Sequence, residues 1–446
     1  MHDRSEGPPV GEPELLTTEE AMVASSGTAA RGGFLGRPVA AIQHTFRSLR
    51  QRDYRFLWFS TLLQTAGQNM NVIALGFFVY ELTGSAARLG GVVAAMGVPG
   101  LLVSLYGGAL GDRLEKKTII QVSQVFLALT GVFIALSIRT GTVTWLHLLG
   151  ASFVYGTFMS FLWPVRQAII PQTVSRELLL NASALNSMAM SIMTMIGPAI
   201  GGIIIALFGV ESLFYAIAAL HLGAVVLMMP LSKYRTALME KRPPILVEIV
   251  NGLRYVRTNT VIMLLLLLGF AQMTMVVPIR FVMPVFAKDV FGVGPDGLGV
   301  LMASMGVGSL LGALVVASLG KVERRGLILG LTGIASGLLI LLFAITSEVV
   351  ALFGLALGLL FVTGVVQSGR MAMQSSLTLE YVDPEYRGRV MSLSSMGWSL
   401  MPVAVLPLTV LMDRLGAGVG LGLIAVVFVL VSIIIVASSS RLRSLQ

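Results

Sequence analysis

No cysteine occurs among the 446 residues, which excludes disulfides, thiolate metal sites and cysteine nucleophiles. Charge is scarce as well. Only 12% of the residues are Asp, Glu, Lys or Arg, against about a quarter in soluble globular domains. A G-x-x-x-x-G-K-[S/T] phosphate loop is missing, and no clustered catalytic constellation stands out. The sequence therefore reads as a non-enzyme with no cofactor and no metal site. None of the 22 acidic residues falls at the centre of an apolar stretch; Glu81, at the end of the first stretch, comes closest.

What is present is apolar. Hydrophobic residues make up 55% of the chain and the mean hydropathy is +0.86. Apolar runs of 18 residues or more recur, each able to cross a hydrocarbon core of about 30 Å as a helix. An all-α integral membrane protein is expected, with the lipid bilayer as its solvent. Twelve spans are read, at 57–80, 88–110, 118–138, 144–166, 182–207, 212–231, 260–286, 297–319, 326–346, 349–373, 390–411 and 417–438. Residues 1–40 are rich in Gly, Pro, Glu, Ser and Thr and read as a disordered tail, without the basic-then-apolar pattern of a signal peptide. Residues 41–56 mix apolar residues with four arginines, as an interfacial amphipathic helix does. The polar stretch 232–259 separates a six-helix bundle at 57–231 from a second at 260–438, and 439–446 form a short tail.

The formal charge of +9 could suggest nucleic acid, but its distribution points elsewhere. With the N-terminus inside, 26 of the 31 Lys and Arg residues fall in segments on the same side. That is the positive-inside pattern of a multi-pass protein in the cytoplasmic membrane with both termini cytoplasmic. No nucleic-acid partner is implied.

The two halves also echo one another. Arg52 before span 1 matches Arg254 before span 7, Gly111 after span 2 matches Gly320 after span 8, and Arg166 in span 4 matches Arg370 in span 10, at offsets of 202, 209 and 204. Two six-helix pseudo-repeats with a site between them near the midplane are common in secondary transporters.

The stretch GALGDRLEKK at 108–117 puts small residues and a burst of charge between spans 2 and 3. Small residues let helices approach closely, and the carboxylate of Asp112 suits a neighbouring helix N-terminus. The simpler reading is a basic topology anchor, which accounts for Lys116 and Lys117 but does not call for an acid. Through Gly108, Leu110, Asp112, Arg113, Lys116 and Lys117 the stretch resembles the loop signature of the major facilitator superfamily; Glu115 departs from it, where glycine is usual. RDYRFLWF at 52–59, FVYELTGSAARLG at 78–90 and EYRGRVMSL at 385–393 resemble the branch of enterobactin exporters and drug-efflux proteins. This resemblance implies a gating latch at 108–117, with Asp112 against the start of span 11. In span 5, Gly197, Pro198, Gly201 and Gly202 resemble the G-P-x-x-G-G signature of superfamily antiporters, although Met193 replaces a glycine of its longer form. A kinked helix interface explains the same residues more simply.

Polar faces mark a candidate cavity. In span 1, Gln64, Gln68 and Asn71 share a face, and in span 10 so do Gln367 and Arg370. Span 4 offers Tyr155, Trp163 and Arg166, and span 7 offers Gln272 and Arg280. The resemblance places spans 1, 4, 7 and 10 around a central cavity, and intramembrane ionisable residues are functional candidates by default. Helix–helix hydrogen bonding explains the amides equally well, and Arg166 and Arg370 could snorkel. His221 reads as packing, and the 24 methionines as filler or an adaptable lining. The resemblance implies secondary active export of small drug-like or siderophore-like molecules by a monomer. Protons are the expected coupling ion and Glu81 the candidate carrier. A facilitator or uptake carrier of the same fold is the alternative.

Overall fold

The structure, a computed structural model, describes residues 46–111, 115–232, 245–318, 324–383, 385–439 and 445. These are helical almost throughout, and no strand occurs among them. A 3-10 turn, Arg47–Arg50, leads into α1 (Arg52–Thr83). Then follow α2 (Ala86–Gly111), α3 (Lys116–Arg139), α4 (Trp145–Thr173), α5 (Leu179–Met228) and the amphipathic α6 (Ile245–Thr258). Beyond these lie a composite rod α7 (Thr260–Val290), then α8 (Pro295–Ser318), α9 (Arg325–Val349), α10 (Phe353–Tyr381), α11 (Arg387–Leu415) and α12 (Ala417–Ser438). Among the described residues, eight helical stretches are long and apolar enough to cross a membrane.

The separate surface helix expected over 41–56 does not form in its described portion. From Arg52 onward the chain already belongs to α1. The cause is docking on α5: the Tyr54 hydroxyl donates to the Ala182 carbonyl at 2.6 Å and Trp58 Nε1 to the Leu185 carbonyl at 2.9 Å. Ser48 follows, its backbone N–H and hydroxyl both donating to Asn181 Oδ1.

Two elements depart from simple rods. α5 has 50 residues, about 75 Å at 1.5 Å per residue, more than twice a membrane core. It breaks at Gly209, whose φ of 81° and ψ of 163° no ordinary side chain would favour. Beyond the break the chain turns back, so that a β-carbon placed on Gly201 would lie 3.6 Å from Leu213 Cδ2; a straight helix would hold these residues about 18 Å apart. α7 contains two π turns, Gln272–Val276 and Phe286–Val290, with Pro284 between them. Such turns re-aim side chains and recur near functional sites.

The short connections after α1, α3, α7, α9 and α11, together with the Gly209 break, lie at one end of the bundle, the distal end. Ser232 and α6 lie at the other, proximal end. Buried side chains divide unevenly between the ends. One cluster at the distal end joins both halves of the chain, from Met70, Phe78 and Phe214 to Phe281, Phe343 and Phe428. Two separate clusters serve the proximal end, one around Tyr54, Leu127, Leu162 and Leu185 and the other around Leu265, Leu329 and Leu377. The two halves thus share a core distally and keep their own cores proximally.

Small residues permit the distal closeness. A β-carbon on Gly90 would collide with the Thr409 hydroxyl, and one on Gly76 would come 3.1 Å from Pro284 Cγ. A single type of contact recurs within each half: Gly156 of α4 lies against the Met96 backbone of α2, and Gly364 of α10 against the Met305 backbone of α8.

Candidate functional site

The polar candidates separate into two groups. Gln64, Asn71, Tyr155, Arg166, Gln272 and Arg370 are buried, while Gln68, Arg280 and Gln367 are half-buried. Trp163 stays exposed.

Arg166 does not snorkel. It reaches from α4 to α1, donating to Thr61 Oγ1 at 2.7 Å and to Ser60 Oγ at 3.2 Å, with the Leu57 carbonyl at 3.5 Å. Arg370 repeats this from α10 to α7, donating to the Leu268 carbonyl at 3.0 Å. Each ties two helices of its own half together, and each leaves its Nε without a protein partner. Both arginines therefore stand inside a bundle. Arg280, by contrast, keeps accessible surface.

Several amides also lack protein partners: Gln64 Oε1, Gln367 Nε2 and both polar atoms of Gln272, which heads the first π turn. Helix–helix hydrogen bonding, the other explanation for amides in spans, does not involve these atoms. A buried polar atom without a partner costs roughly 1–3 kcal/mol, so such atoms are candidates for contact with water or a polar ligand. A cavity of about 310 Å³ lined by Phe59, Leu62, Leu63, Ala66, Met193 and Leu227 is wholly apolar, and none of the polar candidates borders it.

His221, expected to be packing, is completely buried and hydrogen-bonded. Its Nδ1 lies 2.6 Å from Gln124 Oε1, its ring meets that of Tyr155 edge-on at 6.2 Å, and its Nε2 faces Gly67. The Tyr155 hydroxyl has no protein partner.

In the loop motif, the backbone of Gly108 and Leu110 continues α2, whereas Asp112 and Arg113 lie outside the described residues. Lys117 does more than mark a side. Its ammonium donates to the Met229 and Leu231 carbonyls at 2.8 and 2.7 Å, satisfying carbonyls just past the end of α5, where the helical pattern supplies no donors. Lys116 is buried, with Nζ 3.5 Å from the Ala168 carbonyl.

The span-5 motif lies on a seam between the two halves. Gly197 packs on Asn69 and Ala66 of α1, while a β-carbon on Gly202 would come 2.5 Å from the Pro295 carbonyl of α8. Gly299 of α8 in turn approaches the Pro198 carbonyl and Gly202 Cα.

The distal end holds contacts that sequence reasoning missed. Asp413, in the last turn of α11, accepts from the Ala86 and Ala87 backbone amides at 2.7 and 2.9 Å and from the Ser85 hydroxyl at 2.7 Å. It thereby caps α2. Beside it, the Tyr80 hydroxyl of α1 donates to Asp289 of α7, with Lys288 over the Tyr80 ring at 5.7 Å. Glu81 itself is exposed at this end. A signal was available. Acids in the last turn of a helix oppose its dipole, and Asp289, Asp413 and Glu348, whose carboxylate accepts from Gly418 N at 2.8 Å, all do so.

A helical bundle with apolar membrane-length helices, paired distally and cored separately at the other end, is the architecture of a multi-pass membrane protein. The chain belongs to the transmembrane secretion effector family of the major facilitator superfamily, whose profile matches residues 43–380. It is 27% identical over 379 residues to a macrolide efflux protein of Streptococcus pyogenes, covering 79% of this chain and 89% of that one. It is 25% identical to a staphyloferrin A transporter of Staphylococcus aureus, covering 81% and 90%, and 26% identical to an enterobactin exporter of Shigella boydii, covering 66% and 70%. A nucleoside transporter structure superposes with a TM-score of 0.70 at 13% identity, covering 86% of this chain and 98% of the other, a likeness of fold alone. These findings support a small-molecule exporter.

Proposed function

We propose that the protein exports small drug-like or siderophore-like molecules across the cytoplasmic membrane by alternating access, coupled to inward movement of protons. The working unit is twelve spans in two six-helix pseudo-repeats, obtained by dividing α5 at Gly209 and counting α7 as one span. Both termini face the cytoplasm, so the distal end faces outward. The observation that carries the reading is the division of the core: one cluster spans both halves at the distal end, while each half keeps a separate cluster proximally. Such halves can rock about the seam and expose a central site to either side. Similarity to macrolide and siderophore exporters supports the direction. The recurring Gly156–Met96 and Gly364–Met305 approaches support the repeat.

Gln68, Arg280 and Gln367 are the proposed substrate contacts, and Glu81 is the candidate for the coupling proton. A labelled panel containing a macrolide and carboxylate and catecholate siderophores, tested in inside-out vesicles, examines this directly. Accumulation that collapses when the proton gradient is dissipated is expected. Accumulation indifferent to the gradient would turn the reading toward a facilitator, and entry in right-side-out vesicles alone would turn it toward an uptake carrier.

A further inference from the structure

The contacts at the distal end form a device that the family motifs do not describe. Gly84 and Ser85 carry the chain from α1 into α2, with Gly84 left-handed at φ 57°. A helix start leaves its first backbone amides without partners. Here Arg88 N–H is taken by the Ser85 hydroxyl at 3.2 Å, while Ala86 and Ala87 N–H are taken by Asp413. The cap thus comes from α11, 327 residues along the chain from Ala86. That carboxylate sits in the last turn of its own helix, where the dipole opposes it, and the start of α2 offers the opposite field. Gly90, one turn further along α2, lies against Thr409 of α11 and lets the helices meet.

A second link stands beside the first. Tyr80 of α1 donates to Asp289 of α7, and its carbonyl accepts from Gly84 N–H at 2.9 Å, directly before Ser85, which donates to Asp413. Both links join residues before 232 to residues after 259, so neither survives if the distal ends separate.

We infer that Asp413 is a positioning residue of the transport cycle: its bond to the start of α2, with Tyr80–Asp289 beside it, latches the outer gate, and outward opening must break both. This rests on the alternating-access reading proposed above. A contact made in one state and lost in the other shifts their populations by its differential free energy. Losing the latch should favour the outward-open form without changing the substrate contacts.

The test uses the cysteine-free chain with Asn71→Cys as reporter, since Asn71 is buried on α1, nine residues or about 14 Å inward from Tyr80. A membrane-impermeant thiol reagent is applied outside intact cells. Asp413→Asn and Asp413→Ala should each raise the labelling rate about three-fold or more. Asp413→Glu should stay near the parent, and Tyr80→Phe should move the rate in the same direction as Asp413→Asn. In vesicles, Asp413→Asn should lower the maximal transport rate more than it alters the apparent KM. Unchanged labelling in every variant, or a fall in thermal stability without a change in labelling, overturns the latch. Labelling does not require a transported substrate, so absence of transport would count against the exporter reading and leave the latch tested independently.

Discussion

At the scale of single residues, the division between tied and untied polar groups decides which ones can serve substrate. Arg166 and Arg370 have their guanidinium ends committed to neighbouring helices, so their first effect is to hold α4 to α1 and α10 to α7. Gln68, Arg280 and Gln367 are half-buried. Replacing each with alanine should alter substrate range or apparent affinity while expression stays near normal, read by transport across the labelled panel; unchanged transport in all three would mark them as packing residues. The residue types were legible because polar groups stand out in apolar spans. Their commitments were not, since Arg166 and Arg370 sit at matching sequence positions but give no local sign of which helix they bind.

At the scale of helices, glycine sets the distances. Gly202 leaves no room for a β-carbon against Pro295, so Gly202→Ala should push α5 and α8 apart at the distal seam. Overpacking of this kind costs about 1–3 kcal/mol. The expected result is a lower melting temperature in detergent together with slower transport, while Gly150→Ala, where a β-carbon meets nothing within 4 Å, should leave both unchanged. The G-P-x-x-G-G pattern was readable as a place of close approach. Its partner was not, because small residues announce contact without naming the surface contacted. Element ends were read well where charge punctuates them: 118–138 was expected and α3 runs Lys116–Arg139. They were read poorly at 41–56, where docking on α5 absorbed the residues from Arg52 on into α1.

At the scale of the whole molecule, the proposed orientation has two consequences that labelling can read. Cysteines introduced at Ser232 and Ser444 should resist an impermeant thiol reagent applied to intact cells; labelling of either from outside would invert the topology. Asp112→Asn should act opposite to Asp413→Asn. If Asp112 latches the inner ends, its loss favours the inward-open form and slows turnover with binding largely kept, so outside labelling of Asn71→Cys should fall where Asp413→Asn raises it. A rise with both variants would mean the two carboxylates do not stand on opposite gates.

The sequence alone determined that this is a membrane protein of the major facilitator superfamily. Hydropathy and charge scarcity are summed over long segments, and the loop motif is contiguous, so both can be read along the chain. Which helix ends meet was decided only in three dimensions. Asp413 and Ala86 are joined across 327 residues, and a bond of that kind leaves no period, spacing or composition in the chain. It exists because helix dipoles and a glycine contact bring an unfavourably placed acid to the start of another helix, where it accepts from the free amides.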